Sequence, residues 1–492
     1  MRKKFDRLYN FIHKTVGSKG FAVFLIVLFV LQSIWIAISY RYPMLYDEAF
    51  HLDAIKLYSQ QLSPIITNQP TYYDMYGSFA HGAATLYHYL MSFPYRFVIV
   101  FTNNFATQVI FLRLINIAMV ATGLSLFIKL FKKIGIKQVF VNIGMLIFIL
   151  LPIIPFVSAT VNYDNLLFPL TALFFITCID IIFEKRVSLS QCVWLIIIGC
   201  TASVVKYTFL PVFAIGVIYL VAVMYRRHDL HILSKIRVTL NSKKKFKKAG
   251  LAFILVLSLG MFSVIYLQNI IVYKTLQPNC EQIMSRERCS NNLMSIRNDT
   301  AEATKSTRPL MQMPSYISDW TIQMVDWTNM TGSHPAGGGT VVTQPLPIIY
   351  TTIFMGIFVG MAALLYSWRS LKKNPAWYFL IVISVGLILI VFMQNYLMYI
   401  KLHMPYAIQP RYLLTIAPIM IVMSVVAIDF ILRKSKFAKF IIFVIVFLLL
   451  SQGGGVVTHI LRSQDNWYWK NTTLRKVNST TRSILEPIVK EH

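Results

Sequence analysis

The chain has 492 residues, of which 56% are hydrophobic and only 13% are charged, a balance that excludes a water-soluble globular protein and indicates a polytopic membrane protein. Its formal net charge is +28 at pH 7. Much of this positive charge lies in juxtamembrane clusters such as residues 243–248, a pattern typical of topology determinants that contact anionic lipid. We therefore expect anionic membrane lipids as partners, and no nucleic acid.

Apolar runs of about 20 residues, each long enough to cross a hydrocarbon core as a helix, recur along the chain. The sequence therefore predicts an all-α fold with about eleven transmembrane helices. The predicted spans are residues 21–40, 106–130, 138–157, 163–183, 190–205, 207–225, 249–273, 346–368, 377–400, 412–432 and 440–460.

The N-terminal segment, residues 1–20, is basic and precedes the first apolar run, which no small-residue cleavage site follows. We predict an uncleaved first span rather than a removed signal peptide. A cytoplasmic N-terminus gathers most of the Lys and Arg residues on the inner side of the membrane, as the positive-inside rule requires. The transmembrane domain then covers residues 21–460, and the tail at residues 461–492 is extracytoplasmic.

The first outer loop, residues 41–105, begins with two adjacent carboxylates and an imidazole, those of Asp47, Glu48 and His51. If this stretch is helical, Asp47, His51 and Tyr58 lie within about 40° of one another on one polar stripe. A carboxylate there could remove a proton from an acceptor hydroxyl or amine, supported by His51. The alternative, that Asp47 or Glu48 caps an interfacial helix, stays open.

The end of the same loop, residues 83–101, is rich in Tyr and Phe. Aromatic residues at this density are typical of a membrane interface, so we predict a helix lying in or dipping into the outer leaflet. The second large outer loop, residues 274–345, contains a glycine-rich run at residues 337–339 and the pair Cys280 and Cys289. That loop is either a lid or an ordinary disordered loop, and its cysteines are either bridged or free.

Two further charged residues lie at the predicted outer ends of spans. Asp164 stands at the outer mouth of the fourth span, where a helix cap and a ligand or metal contact are both consistent with it. Lys206 separates the fifth and sixth spans without a proper loop, so it needs either an anionic partner, such as a lipid phosphate, or a snorkelling route to the headgroups.

The tenth span is preceded by Gln409, Pro410, Arg411 and Tyr412. Arginine presents a planar fork that suits phosphate, so Arg411 is a candidate ligand of a lipid phosphate, with an interfacial anchor as the alternative. The sequence contains no P-loop, no dinucleotide glycine fingerprint, no HExxH and no Gly-x-Ser-x-Gly.

Three of these motifs resemble those of the GT-C superfamily of integral membrane glycosyltransferases, which includes protein O-mannosyltransferases and aminoarabinose transferases. They are the acidic pair Asp47-Glu48 after the first span, the Asp164 motif that opens a middle span, and the late Gln-x-Arg-Tyr motif at residues 409–412. The pattern is most similar to an uncharacterised bacterial membrane protein family within that group. One difference is Pro410, where that family usually has Gly.

The resemblance implies a polyprenyl-phosphate sugar donor, an envelope acceptor (glycan, teichoic-acid-like polymer, lipid or protein) and inversion at the anomeric carbon. The implied catalytic residues are Asp47 as the base and Glu48 as the group that orients the acceptor or supports Asp47. A divalent metal ion on Asp47 and Asp164 is left open. The expected substrate-binding residues are His51, Asp164, Lys206, Gln409, Arg411 and Tyr412.

Two other hypotheses compete with that of a glycosyltransferase. A lipid or polysaccharide transporter also uses buried acids and a phosphate-binding arginine, although its ionisable groups usually lie near the bilayer midplane. The other hypothesis is a non-catalytic scaffold of the same fold. It is favoured if Asp47, Asp164, Lys206 and Arg411 fail to converge within about 15 Å, the reach of a shared ligand.

Overall fold

The computed structural model describes residues 2–66, 69–82, 85–184, 187–226, 245–333 and 341–489. Residues 83 and 84 of the predicted interfacial helix, residues 243 and 244 of the basic cluster and the glycine-rich run at residues 337–339 lie outside these ranges. The α-helices of the described residues are α1 Arg2–Val16, α2 Lys19–Ser39, α3 Glu48–Ser59, α4 Thr85–Phe101, α5 Phe105–Lys133, α6 Gln138–Ile149, α7 Ile153–Ser158, α8 Asp164–Phe183, α9 Leu189–Val205, α10 Leu210–Arg226, α11 Lys245–Phe262, α12 Gln268–Tyr273, α13 Cys280–Ile283, α14 Arg286–Cys289, α15 Leu293–Ala303, α16 Met313–Asn329, α17 Pro347–Leu371, α18 Pro375–Leu402, α19 Ala417–Ile431, α20 Lys436–Ser451, α21 Val456–Arg462 and α22 Thr472–Leu485.

Short 3₁₀ turns and a small hairpin complete the described structure. The strands β1 Thr331–Ser333 and β2 Val341–Thr343 pair antiparallel, with Thr331 opposite Thr343. The 3₁₀ turns are Thr71–Tyr76, Tyr207–Phe209, Lys305–Thr307, Pro410–Leu413 and Asp465–Trp467, and a π-helical turn, Ser263–Leu267, joins α11 to α12.

The chain is an all-α polytopic membrane protein, as the sequence predicted. Within the described ranges, eight helical segments are long and apolar enough to cross a membrane, and three shorter apolar helices, α6, α9 and α19, accompany them. These correspond to the predicted spans. The eight longer segments are Lys19–Ser39, Phe105–Lys133, Asp164–Phe183, Tyr207–Arg226, Ala249–Tyr273, Pro347–Leu371, Pro375–Leu402 and Lys436–Arg462.

The centre of the bundle is α8, which packs against α5 on one side and α9 on the other. In its most apolar stretch, 67% of the residues are buried, a larger share than in any other described span. Gly123 of α5 allows the ring of Phe168 to approach closely, since a Cβ there would overlap the ring. Small residues of this kind let transmembrane helices approach closely.

Two predicted spans are interrupted, and their interruptions lie against each other. The third span divides into α6 and α7 around Pro152, because proline lacks the N–H that would continue the helix. The last span divides between α20 and α21 at a run of three glycines. The Gly455 N–H donates to the Leu150 carbonyl at 2.6 Å, and a ring nitrogen of His459 lies 2.8 Å from the Pro152 carbonyl. Irregular backbone inside a membrane protein is tolerated when it is satisfied internally in this way.

The tenth span begins later than predicted. The sequence predicted a start at residue 412, but Tyr412 lies in the 3₁₀ turn Pro410–Leu413, and α19 begins only at Ala417. Pro418 occupies the first turn of α19, where its missing N–H has no partner to lose. The 3₁₀ turn therefore remains at the outer end of the span as part of the loop.

The two predicted outer loops are joined by an ion pair, and a disulfide closes part of the second loop on itself. Cys280 and Cys289 are bridged, which answers the question that the sequence left open. Next to this bridge, Arg288 donates to both carboxylate oxygens of Asp74, at 2.6 and 2.5 Å. Asp74 belongs to the first outer loop and Arg288 to the second, so the two loops pack as one layer.

We predict that Gly455→Ala destabilises the protein by about 1–3 kcal/mol. The φ and ψ of Gly455 are 58° and −129°, a backbone region that is almost exclusive to glycine, and a Cβ would overlap Oε1 of Gln32. Gly260→Ala in α11 is the matched control, since no atom lies within 4 Å of its added Cβ. Thermal unfolding in detergent compares the two; equal midpoints would contradict the prediction.

Candidate functional site

A strained turn connects α2 to α3 and presents Asp47 to the outside. Tyr46 and Asp47 have φ values of 64° and 66°, in the left-handed region that residues other than glycine seldom adopt. The Tyr46 carbonyl accepts hydrogen bonds from Asn162 Nδ2 at 2.8 Å and from Arg411 Nη1 at 3.3 Å. Strain of this kind persists only where neighbouring residues fix the backbone.

Asp47 occupies the N-cap position of α3, but its side chain makes no capping hydrogen bond. Instead its Oδ2 accepts from Arg411 Nη2 at 2.6 Å. The Asp47 side chain is 54% exposed, whereas that of Arg411 is only 5% exposed. The capping alternative is therefore wrong for the side chain of Asp47, which is paired with a buried guanidinium and open to solvent.

Glu48 lies in a different environment, fully buried beneath the turn. Its carboxylate accepts from Arg113 at 2.8 Å to Oε1 and 2.7 Å to Oε2. The backbone N–H groups of Met44 and Val161 donate to the same carboxylate at 2.7 and 3.2 Å. A carboxylate with these partners cannot orient an acceptor, so the arrangement favours the other predicted role of Glu48, that of supporting Asp47 as a positioning residue.

Sequence reasoning missed Arg113, although a signal was available. This arginine interrupts an apolar run in α5, and an ionisable residue within a span is by default a candidate for function with a nearby partner. Besides Glu48, its Nη1 donates to the carbonyls of Ala37 and Tyr40 at 3.0 and 2.6 Å, at the C-terminal end of α2. Arg113 therefore joins α5, the end of α2 and the start of α3.

The second ion pair is formed by Lys206 and Asp164, whose Nζ and Oδ1 are 2.6 Å apart. Lys206 is 2% exposed and Asp164 is 6% exposed, so the snorkelling alternative for Lys206 is wrong. Burial lowers the pKa of Lys206 to about 8, and the neighbouring Asp164 opposes that shift. The other oxygen of Asp164, Oδ2, has no hydrogen-bond partner among the described residues.

Aromatic rings connect the two ion pairs. The Lys206 Nζ lies 4.5 Å from the centre of the Tyr163 ring and 4.8 Å from that of Tyr412. The Arg411 Cζ lies 5.5 Å from the same Tyr412 ring. Cations at these distances are attracted to the ring face, and the two cations are within about 10 Å of each other. Asp47, Asp164, Lys206 and Arg411 thus converge within the 15 Å or so that a shared ligand requires.

His51 points away from Asp47 toward a second histidine. Its Nδ1 and the Nε2 of His88 are 2.8 Å apart and share a hydrogen bond, and both rings are buried. Burial lowers the pKa of His51 well below its usual value, with His88, Arg411 and Lys206 adding to the shift. His51 is therefore neutral at neutral pH. Its ring contacts that of Tyr163 edge to face, with the ring centres 4.5 Å apart. His51 therefore packs against the aromatic part of the site.

A small cavity extends the site toward the membrane. Asp164 and Arg411 both line it, together with the polar side chains of Asn165 and Thr415. The Nε of Arg411 is buried without a hydrogen-bond partner in the described part of the chain, as is the Oε1 of Gln409 in the same loop. Buried polar atoms of this kind usually mark a bound water, ion or ligand.

The divalent metal ion that the sequence left open does not fit the residues as arranged. Each candidate carboxylate, Asp47 and Asp164, already has a cation of the protein at 2.6 Å. Within the described ranges, no three His, Cys, Asp or Glu side chains are grouped so that they could hold a metal ion. We therefore assign no step to a metal.

We predict that Glu48→Gln destabilises the protein by about 3–5 kcal/mol, because it leaves the Arg113 guanidinium buried without a counter-charge. Glu302→Gln is the matched control. Glu302 pairs with Lys305 at 3.8 Å on the surface, so its loss costs at most about 1 kcal/mol. Chemical denaturation in detergent measures both variants, and a Glu48→Gln protein as stable as the control would refute the assignment.

A likeness to known proteins is found among solved structures. No family model and no curated protein sequence matches the chain. Among solved structures, the chain is similar to the crystal structure of ArnT from Cupriavidus metallidurans bound to undecaprenyl phosphate, with 13% sequence identity and a TM-score of 0.47. The similarity covers 96% of this chain and 71% of that one. A likeness at this level assigns no reaction.

Proposed function

We propose that the chain is a glycosyltransferase of GT-C type, which transfers a sugar from a polyprenyl-phosphate donor to an acceptor outside the membrane. The main support is the convergence of one exposed carboxylate, Asp47, with two buried cations, Arg411 and Lys206, around the ring of Tyr412. A carboxylate can deprotonate an acceptor, and two cations can neutralise a departing phosphate. Sugar transfer from a lipid phosphate requires both functions at one place.

Asp47 is the base in this proposal. Its salt bridge to Arg411 requires the ionised carboxylate, which is the form that accepts a proton. The acceptor hydroxyl transfers its proton to Asp47 while its oxygen forms a bond to the anomeric carbon of the donor. The bond from that carbon to the phosphate oxygen breaks, and its electron pair stays on the polyprenyl phosphate. A single displacement of this kind inverts the anomeric configuration.

Arg411 and Lys206 hold the phosphate that leaves. Arg411 has a buried Nε donor with no protein partner in the described residues, so a phosphate oxygen can accept from it without displacing a contact. Lys206 adds a second positive charge, 4.8 Å from the centre of the Tyr412 ring. Both charges act in a site shielded from water, where electrostatic interactions are stronger than in bulk solvent.

The remaining predicted residues have supporting roles. Asp164 fixes the ammonium of Lys206 at 2.6 Å, a role that replaces the acceptor or metal contact expected from the sequence. Gln409 offers a buried amide oxygen without a partner among the described residues, suited to a sugar hydroxyl. His51 packs against Tyr163, which contacts Lys206 in turn, and so keeps that ring in place.

The position of the site across the predicted membrane favours an enzyme over a transporter. Asp47 follows the end of α2, Asp164 begins α8, and Lys206 follows the end of α9. In the predicted orientation these are all extracytoplasmic helix ends, whereas the ion and substrate sites of transporters lie near the bilayer midplane. The acceptor in the proposal is therefore a component of the cell envelope.

We predict that Asp47→Asn lowers sugar transfer at least about 100-fold, the usual contribution of a general base. The measurement is transfer from labelled polyprenyl-phosphate sugars, supplied as a panel to membranes that contain the full chain. Asp465→Asn is the matched control, because Asp465 lies on the same predicted side, is 73% exposed and pairs with Arg482 only at 3.7 Å. Equal transfer by wild type and Asp47→Asn would remove Asp47 from the mechanism.

We predict that affinity for undecaprenyl phosphate falls roughly tenfold between pH 7 and pH 9, the value of one charged hydrogen bond. The pKa of Lys206 is lowered to about 8, so the ammonium that binds phosphate is lost as the pH rises through that value. An alkyl phosphate is already mostly dianionic over this range, since its second pKa is about 6.

Lys206→Arg is the control for this pH dependence, because a guanidinium stays charged at pH 9. Its affinity for undecaprenyl phosphate is expected to stay level across the range. Binding of a fluorescent analogue to the purified protein measures both curves. An equal fall in both proteins would show that Lys206 is not the titrating group.

A further inference from the structure

A second, larger groove lies at the opposite end of the bundle from the candidate site. It is formed by α1, the first half of the third predicted span (α6), the end of α19 and one face of α20. Val139, Ile143, Leu146 and Leu150 follow one another along a single face of α6 and form one wall. In the predicted topology this groove opens on the cytoplasmic leaflet.

Polar residues of the groove are confined to one end. Asp429 stands in the last turn of α19, and Lys439 in the first turn of α20, with 2.7 Å between their charged atoms. Tyr9 and His13 of α1 reach the same groove. Deeper along α20, the lining consists of residues such as Phe443 and Leu450. A groove that is polar at its mouth and apolar in its depth fits an amphiphile with its head at the membrane surface.

The length of the groove matches one leaflet. From Val139 to Leu150 the wall rises about 16 Å, at about 1.5 Å per helical residue. This is close to half of a hydrocarbon core of about 30 Å. A single chain that enters from the cytoplasmic surface would therefore extend along the groove to about the middle of the bilayer.

The mouth of the groove has an excess of positive charge. The helix α1 and residues 429–439 together contain nine Lys and Arg but only two Asp. Both of these acids are already paired, Asp6 with Lys436 at 3.4 Å and Asp429 with Lys439 at 2.7 Å. In the predicted topology the remaining cations, including the exposed Lys4 and Arg7, lie on the cytoplasmic side of the membrane, where they would complement a negatively charged headgroup.

The helix α1 forms one wall of the groove at its polar end. Its Phe5 contacts Phe437 and Phe440 of α20 edge to face, with ring centres 5.5 and 5.7 Å apart. Val16, at the end of α1, is buried against the bundle. This amphipathic helix therefore lies beside the mouth, where its basic residues are near any headgroup that the groove admits.

We infer that this groove is a specific lipid site, which binds one acyl chain of an anionic phospholipid from the cytoplasmic leaflet and holds its headgroup with basic residues of α1. The occupant follows from three features of the groove: the apolar wall of one leaflet's depth, the polar groups confined to its mouth and the excess of cations there. The site is separate from the proposed transfer site, and neither depends on the other.

Native mass spectrometry of the purified protein tests whether the groove binds an acyl chain. Phosphatidylglycerol and phosphatidylcholine with identical acyl chains are added to the purified protein. Wild type is expected to retain phosphatidylglycerol, and Ile143→Trp, which fills the groove, is expected to lose it. Val23→Trp is the control, since Val23 is 60% exposed on α2 and lies outside the groove. Equal retention by the three proteins would overturn the proposal.

The charge part is tested with Lys4→Gln combined with Arg7→Gln. Each basic residue near a headgroup is worth about 1 kcal/mol, so loss of two is expected to lower the preference for phosphatidylglycerol over phosphatidylcholine about 30-fold. An unchanged preference, or none in wild type, would exclude recognition of the headgroup by α1.

Photocrosslinking with a phosphatidylglycerol whose acyl chain contains a diazirine places the lipid directly in wild-type protein. Crosslinks are expected on α6 and α20 within residues 139–150 and 439–450. This result does not depend on the folding of the Ile143→Trp variant. Crosslinks distributed evenly over the exposed spans would show that the groove holds only bulk lipid, and would refute the proposal.

Discussion

The buried pair of Glu48 and Arg113 determines where the candidate site stands. Four backbone groups complete its hydrogen bonding: the N–H groups of Met44 and Val161 and the carbonyls of Ala37 and Tyr40. A buried ion pair is tolerated only when its remaining donors and acceptors are satisfied, and breaking it is costly. The pair therefore fixes the end of α2, the start of α3 and the approach to α8 relative to α5. Asp47, the next residue to Glu48, is placed by this arrangement.

The two adjacent acids have opposite environments. Glu48 therefore has a structural role, and Asp47 is the one available for the proposed chemistry. Glu48 is fully buried and has two backbone N–H groups and a guanidinium as partners. Asp47 is about half exposed, and its partner Arg411 has a further donor without a protein partner among the described residues. An acceptor can reach one carboxylate and not the other. The left-handed backbone at Asp47 turns its side chain outward while Glu48 points into the core.

Composition and charge were enough to predict the helical spans, because apolar length and Lys and Arg bias follow from the bilayer itself. The helix breaks at Pro152 and Gly455 were missed, since a hydropathy pattern does not reveal that two interruptions will satisfy each other. Residues Asp47, Asp164, Lys206 and Arg411 were identified individually by their position at span ends. Their pairing was not predictable: nothing in the local sequence joins Asp47 to a partner 364 positions away.

Arg113 and His88 show a different limit of prediction from sequence, because their partners can be identified only in the folded structure. Arg113 was visible as a charge inside an apolar run, but its partner could be named only once α5 was placed beside the first loop. His88 stands among tyrosines in α4, and its sequence surroundings suggested an interface and not a contact with His51. The choice between the two predicted roles of Glu48 stayed open for the same reason, because adjacent acids in a sequence give no information about which one faces solvent.

The separations of the three ion pairs along the chain also imply an order of assembly. Glu48 and Arg113 are 65 positions apart and Asp164 and Lys206 are 42 apart, so both pairs can form while the later spans are still being synthesised. Asp47 meets Arg411 only after the ninth predicted span has been inserted. Until that point the guanidinium of Arg411 is not available to Asp47. The site becomes electrostatically complete late, when insertion of the chain is nearly finished.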